Sequence, residues 1–146
     1  MTRTSQFALS LAASAALIAG SAIASDGGRK LQTSLTGAAE APGPGDSNGS
    51  GTALITVNPG QNQVCYKLTV ANIDPATAAH IHEAAPGVAG PVVVGLGAPN
   101  ASGTSSGCVG VTRELALEIL KDPGDYYVNV HNAAFPAGAV RGQLAK

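Results

Sequence analysis

Thr52-Ala-Leu-Ile-Thr-Val57, Asn58-Pro-Gly-Gln-Asn62 and Gln63-Val-Cys-Tyr-Lys-Leu-Thr-Val70 are the consecutive stretches that decide the fold. Side chains of an extended chain point alternately to two faces, so Val64, Tyr66, Leu68 and Val70 share one face while Cys65, Lys67 and Thr69 share the other. The residues between the two runs tolerate a tight turn, which makes this a β-hairpin.

Working outward, Leu31, Thr33 and Leu35 alternate with Gln32 and Ser34 and predict a strand over 30–36. Residues 37–51 are a loop dense in glycine and proline. Downstream, Ala79-His-Ile-His-Glu83 and the apolar run Pro91–Leu96 read as strands, followed by a glycine and serine loop through Gly107. One short helix interrupts the pattern: Thr112 can cap it, Leu115 with Ile119 or Ala116 with Leu120 fall on helical spacing, and Asp122-Pro123-Gly124 stops it. Tyr126–His131 and Val140–Leu144 complete the set. About seven short strands with turn signals between them predict an all-β antiparallel sandwich with one short helix.

The chain has 146 residues, enough for one ordinary domain and too few for two with separate cores. Eight Lys and Arg against nine Asp and Glu, with no basic run, exclude the electrostatic footprint of a nucleic-acid binder. A hydrophobic fraction of 45% excludes a largely disordered chain.

Arg3 precedes an uncharged run from Phe7 to Ala19, and Ala22-Ile-Ala24 supplies small residues at the expected cleavage site. Residues 1–24 read as a secretory signal peptide, 25–30 as a lead-in and 31–146 as the domain. The apolar run is short for a bilayer span, so no membrane segment remains after cleavage. Periplasmic or secreted localisation follows. In an oxidising compartment Cys65 and Cys108, the only cysteines, are expected to form a disulfide.

Only three histidines occur: His80, His82 and His131, all in predicted strands. Residues two apart on a strand project from one face with Cβ atoms roughly 7 Å apart, which suits His80 and His82 as two neutral nitrogen ligands. His131 completes a three-nitrogen set if its strand runs nearby. Imidazole suits copper or zinc, copper being favoured, and the carboxylate clusters of a calcium or magnesium site are missing. The same histidines can instead hydrogen-bond loop carbonyls and organise a sandwich edge. Tyr127 and Asn129 share the predicted face of His131 and are candidates to orient an imidazole, or simply to pack. Arg141 is a candidate to clamp an anion or to pair with a carboxylate that fixes the last strand. No convincing serine-nucleophile arrangement and no G-x-G-x-x-G cradle is present.

The succession Ala79-His-Ile-His-Glu83, Gly87-Val-Ala-Gly-Pro-Val-Val93, Tyr126-Tyr-Val-Asn-Val-His131 and Phe135-Pro-Ala-Gly-Ala-Val-Arg-Gly-Gln-Leu144 resembles the CHRD (chordin-type) domain in its exported bacterial single-domain form. Leu35-Thr-Gly-Ala-Ala-Glu-Ala-Pro42 fits the start of that family, and the resemblance runs from about Leu31 onward. It implies an immunoglobulin-like or Greek-key β-sandwich, no established catalytic activity for most members, and hallmark positions at His80, His82, His131 and Arg141. Ala84 departs from the family, where glycine is common after the H-I-H-x segment. A looser similarity to copper/zinc superoxide dismutase, through the H-x-H-E element and a late arginine, lacks the zinc-site His/Asp cluster and the bridging histidine.

The sequence thus favours a metal-binding module over an enzyme. Its alternatives are a structural or protein-interaction module without metal and, third, a copper-only dismutase-like enzyme; a homo-oligomer or a protein partner is compatible with each.

Overall fold

The computed structural model describes residues 27–146; the signal peptide read over 1–24 lies outside the described residues. Among the described residues there are eight strands: β1 (Arg29–Thr36), β2 (Ser50–Asn58), β3 (Gln63–Ala71), β4 (Ala76–Glu83), β5 (Val92–Leu96), β6 (Thr104–Gly110), β7 (Tyr126–Asn132) and β8 (Val140–Gln143). One α-helix, α1 (Arg113–Lys121), lies between β6 and β7.

The all-β antiparallel class and the single short helix agree with the sequence. The hairpin forms as read, with Val57 opposite Val64 and Ile55 opposite Tyr66 in β2–β3. Thr112 caps α1 by accepting a hydrogen bond from Leu115 N at 3.2 Å, and Ala116 and Ile119 are its buried residues.

Two readings need correction. Residues 104–107, read as the end of a loop, are strand, because Thr104-Ser-Ser-Gly-Cys-Val-Gly110 pairs with β3 from Thr69 to Gln63. Its inward positions are Ser105, Gly107 and Val109, and Gly107 gives the Tyr66 ring room: a Cβ there would stand 3.0 Å from the tyrosine oxygen. Eight strands therefore replace about seven.

The second correction concerns the two expected sheets, which are joined. The strands follow the order β5-β4-β7-β8-β1-β2-β3-β6 in one sheet. The seam between its halves is thin, with Thr36 opposite Arg141 and an isolated bridge from Gln32 to Ala145. The free ends approach each other through side chains: Gly97 N donates to the Tyr66 hydroxyl at 2.8 Å, and Ser105 Oγ donates to Gly97 O at 2.8 Å. The result is nearly a barrel.

Inside it lie Leu31, Leu35, Ile55, Val57, Val64, Leu68, Ile81, Val128, Val130 and Val140, with Ile119 of α1. Burying each such side chain contributes about 1.5–3 kcal/mol. A disulfide joins Cys65 to Cys108, which face each other across β3–β6 on the outer side of that half.

Candidate metal centre

Period two sends Ala79 and Ile81 of β4 and Val128 and Val130 of β7 into the core, so His80, His82, Tyr127, Asn129 and His131 point outward. Register lines these up: His80 is opposite Asn129, which is opposite Arg141, and His82 is opposite Tyr127, which is opposite Gln143. This outward face is covered all the same. Six of the seven residues of β7 are buried, a strand enclosed on both sides.

The cover is the loop 84–91, and the sheet holds it by its backbone. Arg141 donates to Val88 O at 2.8 Å and to Ala85 O at 3.1 Å, and Gln143 Nε2 donates to Ala84 O at 2.6 Å and to Gly124 O at 2.7 Å. Gly90 N donates to the Tyr127 hydroxyl at 3.1 Å. Gly90 packs so closely on Glu83 O that a Cβ at this position would collide with it.

The three imidazoles converge. One ring nitrogen from each of His80, His82 and His131 lies within 4.8 Å of the other two. His82 is buried, and His80 and His131 are half-buried. Two loop carbonyls fix the tautomers: His82 Nδ1 donates to Gly90 O at 2.8 Å, and His131 Nδ1 donates to Pro136 O at 3.0 Å. Both Nε2 atoms are thereby left with free lone pairs. That of His131 meets His80 Nδ1 at 3.1 Å, while that of His82 is buried with no partner.

Burial holds the His80 pKa below the usual imidazole range, and the neighbouring His131 and His82 lower it further. His131 is also lowered by burial, with its bond to Pro136 O acting in the opposite direction. Both effects favour neutral rings, the form that ligates.

Tyr127 stacks on His82, with ring centroids 4.8 Å apart and planes 7° from parallel. It acts on that imidazole twice, by stacking and by anchoring Gly90, whose carbonyl receives the His82 proton. Asn129 sits between His80 and Arg141, 2% exposed, and its Oδ1 has no partner. Among the described residues Arg141 has no close ion-pair partner; it is a buried loop anchor lying over Tyr127, its Cζ 3.3 Å from the ring centroid. Cys65 and Cys108 belong to the other half of the sheet.

Glu40 is a site residue that sequence reasoning missed. It is 9% exposed, packed against Gly45 and Gly138, with Oε1 unpartnered. Burial pushes its pKa up to about 7, while the Arg141 charge and hydrogen bonds from Ala41 and Asn129 act against the rise. Nothing in the glycine and proline loop around it marks this carboxylate as buried.

The order of these motifs decides the family. A model of the CHRD domain matches residues 31–144. The chain belongs to the CHRD domain family. The match takes in all three histidines, Tyr127, Arg141 and both cysteines of this CHRD domain. No curated protein and no solved structure matches the chain. Among the described residues no helix is long and apolar enough to cross a membrane.

Proposed function

We propose that this CHRD domain is an exported metal-binding module that holds one transition-metal ion, copper ahead of zinc, through His80, His82 and His131. The observation that carries the proposal is the orphaned Nε2 of His82, a buried lone pair on a ring that converges with two other imidazoles. Leaving such an acceptor unpaired costs about 1–3 kcal/mol, and a cation at the convergence point removes that cost. The donors are neutral nitrogens without a carboxylate or thiolate among them, a set that suits copper and zinc. The affinity order of divalent ions at such a site places copper first. The disulfide and the family support export.

Metal-stripped protein is expected to take up about one equivalent of copper at micromolar concentration, and at a hundredfold excess over Kd the fold gains about 2.7 kcal/mol. His80→Ala and His82→Ala abolish uptake. No uptake, or uptake unchanged in these variants, refutes the proposal.

A second reading rests on the bonds of His82 and His131 to Gly90 O and Pro136 O, which organise loops without any ion. Under that reading the alanine variants lower Tm equally with and without metal.

A further inference from the structure

Arg141 is among the largest fully buried side chains, 1% exposed, and its guanidinium remains charged at any working pH. Among the described residues no carboxylate stands within ion-pair distance of it. Its hydrogen bonds go to Val88 O, Ala85 O and Gln143 Oε1. The guanidinium lies on Tyr127, and Tyr127 lies on His82, so cation, phenol and imidazole form one stack that ends at the unpartnered nitrogen.

A fixed positive charge in a shielded position raises the potential at the three nitrogens, and the resulting penalty on a bound cation grows with that cation's own charge. An imidazole that ligates a metal does so in its neutral form and offsets none of it. Three imidazoles also form a sufficient trigonal set for a d10 monovalent ion, whereas a divalent ion calls for a fourth ligand.

We propose that Arg141, through its stack on Tyr127 and His82, makes the three-histidine site selective for monovalent copper over divalent ions. This rests on the metal-site reading above. Arg141 touches no ligand nitrogen and is a positioning residue that also sets local charge. The spacings of 3.3 Å and 4.8 Å put its charge no more than about 8 Å from the His82 ring centroid. At an effective dielectric of about 20, one unit of ionic charge over that span changes affinity on the order of tenfold.

The test is the ratio of Cu(I) to Cu(II) affinity, measured by competition with chelators of known strength. The wild type is expected to prefer Cu(I). Arg141→Met is expected to lower the ratio about tenfold, equivalent to about 59 mV in a one-electron potential. Arg141→Lys, which keeps the charge without the planar stack, should retain most of the preference. Glu40→Gln at pH 8 removes a carboxylate that offsets Arg141 and should raise the ratio. A folded Arg141→Met protein with an unchanged ratio overturns the inference, as does an equal loss in Arg141→Lys, which would assign the effect to packing. If Arg141→Met does not fold, Glu40→Gln decides, and no rise counts against the inference. Wild type that binds copper but prefers Cu(II) defeats the inference alone; wild type that binds neither state defeats the metal-site reading beneath it.

Discussion

The two halves of the sheet treat their outer faces in opposite ways. On β1, β2 and β3 the outward positions include Gln32, Ser34, Thr52, Lys67 and Thr69, exposed side chains on an ordinary wetted face. On β4, β7 and β8 they are His80, His82, Tyr127, Asn129, His131, Arg141 and Gln143, partly or wholly enclosed beneath loops. The first half is closed covalently, by Cys65–Cys108, and the second by hydrogen bonds to loop carbonyls. Burying polar groups costs free energy unless every partner is present, so only the second half has a reason to leave lone pairs unpaired. Stability and chemistry are therefore divided between the halves.

The largest expected effect tests that division directly. Cys65 and Cys108 are 43 residues apart, and in the chain-entropy model opening a loop of that size costs about 4 kcal/mol. Replacing both by alanine should lower Tm by about 15 °C, as followed by circular dichroism. Below the new midpoint, metal uptake should be unchanged. Loss of uptake in a protein that is still folded would show that the two halves are not independent.

The second effect is confined to the enclosed face and depends on pH. Glu40 has a folded pKa raised to about 7 from 4.5, so the folded state holds its proton more tightly. Stability should then fall as pH rises between those values and stay lower above them, by roughly 3 kcal/mol. His80 and His131 act with the opposite sign, because their folded values are lowered: as pH falls through the window below 6.5 the unfolded chain binds more protons and stability is lost. Urea denaturation from pH 5 to 8 should show the Glu40 slope in the wild type and its disappearance in Glu40→Gln, with the histidine slope retained. A Glu40→Gln protein no more stable than wild type at pH 8 would mean that the carboxylate is compensated.

How far each half could be read from the sequence follows the same division. Alternation fixes β2, β3 and β7, because an apolar residue at every second position has one plausible arrangement. It fails for β6, where inward Ser105 and Gly107 carry no apolar signal and the strand exists because β3 supplies its ladder. The spacing of His80 and His82 reveals a shared face, and His131 completes the group because β7 lies beside β4. The carbonyls of Gly90 and Pro136, the burial of Glu40 and the anchoring of Arg141 to Val88 O and Ala85 O are set by loop paths. Those paths depend on tertiary contacts that no local pattern encodes.

The smallest effect separates the stack from the anchor. Tyr127→Phe keeps the ring on His82 and under Arg141 but removes the acceptor for Gly90 N. That amide is held in a loop rather than a ladder, so its loss should cost about 1 kcal/mol. Gly90 O still receives the His82 proton, so the tautomer persists and metal affinity should weaken only a fewfold, less than the 10–100-fold typical of losing a ligand's direct partner. Lys67→Ala, on the wetted face, should change stability by no more than about 0.5 kcal/mol and leave affinity untouched. Were Tyr127→Phe to match the loss seen on removing His82 itself, the hydroxyl and not the stack would be what holds that imidazole in place, because the stacked ring is present in both the wild type and the variant.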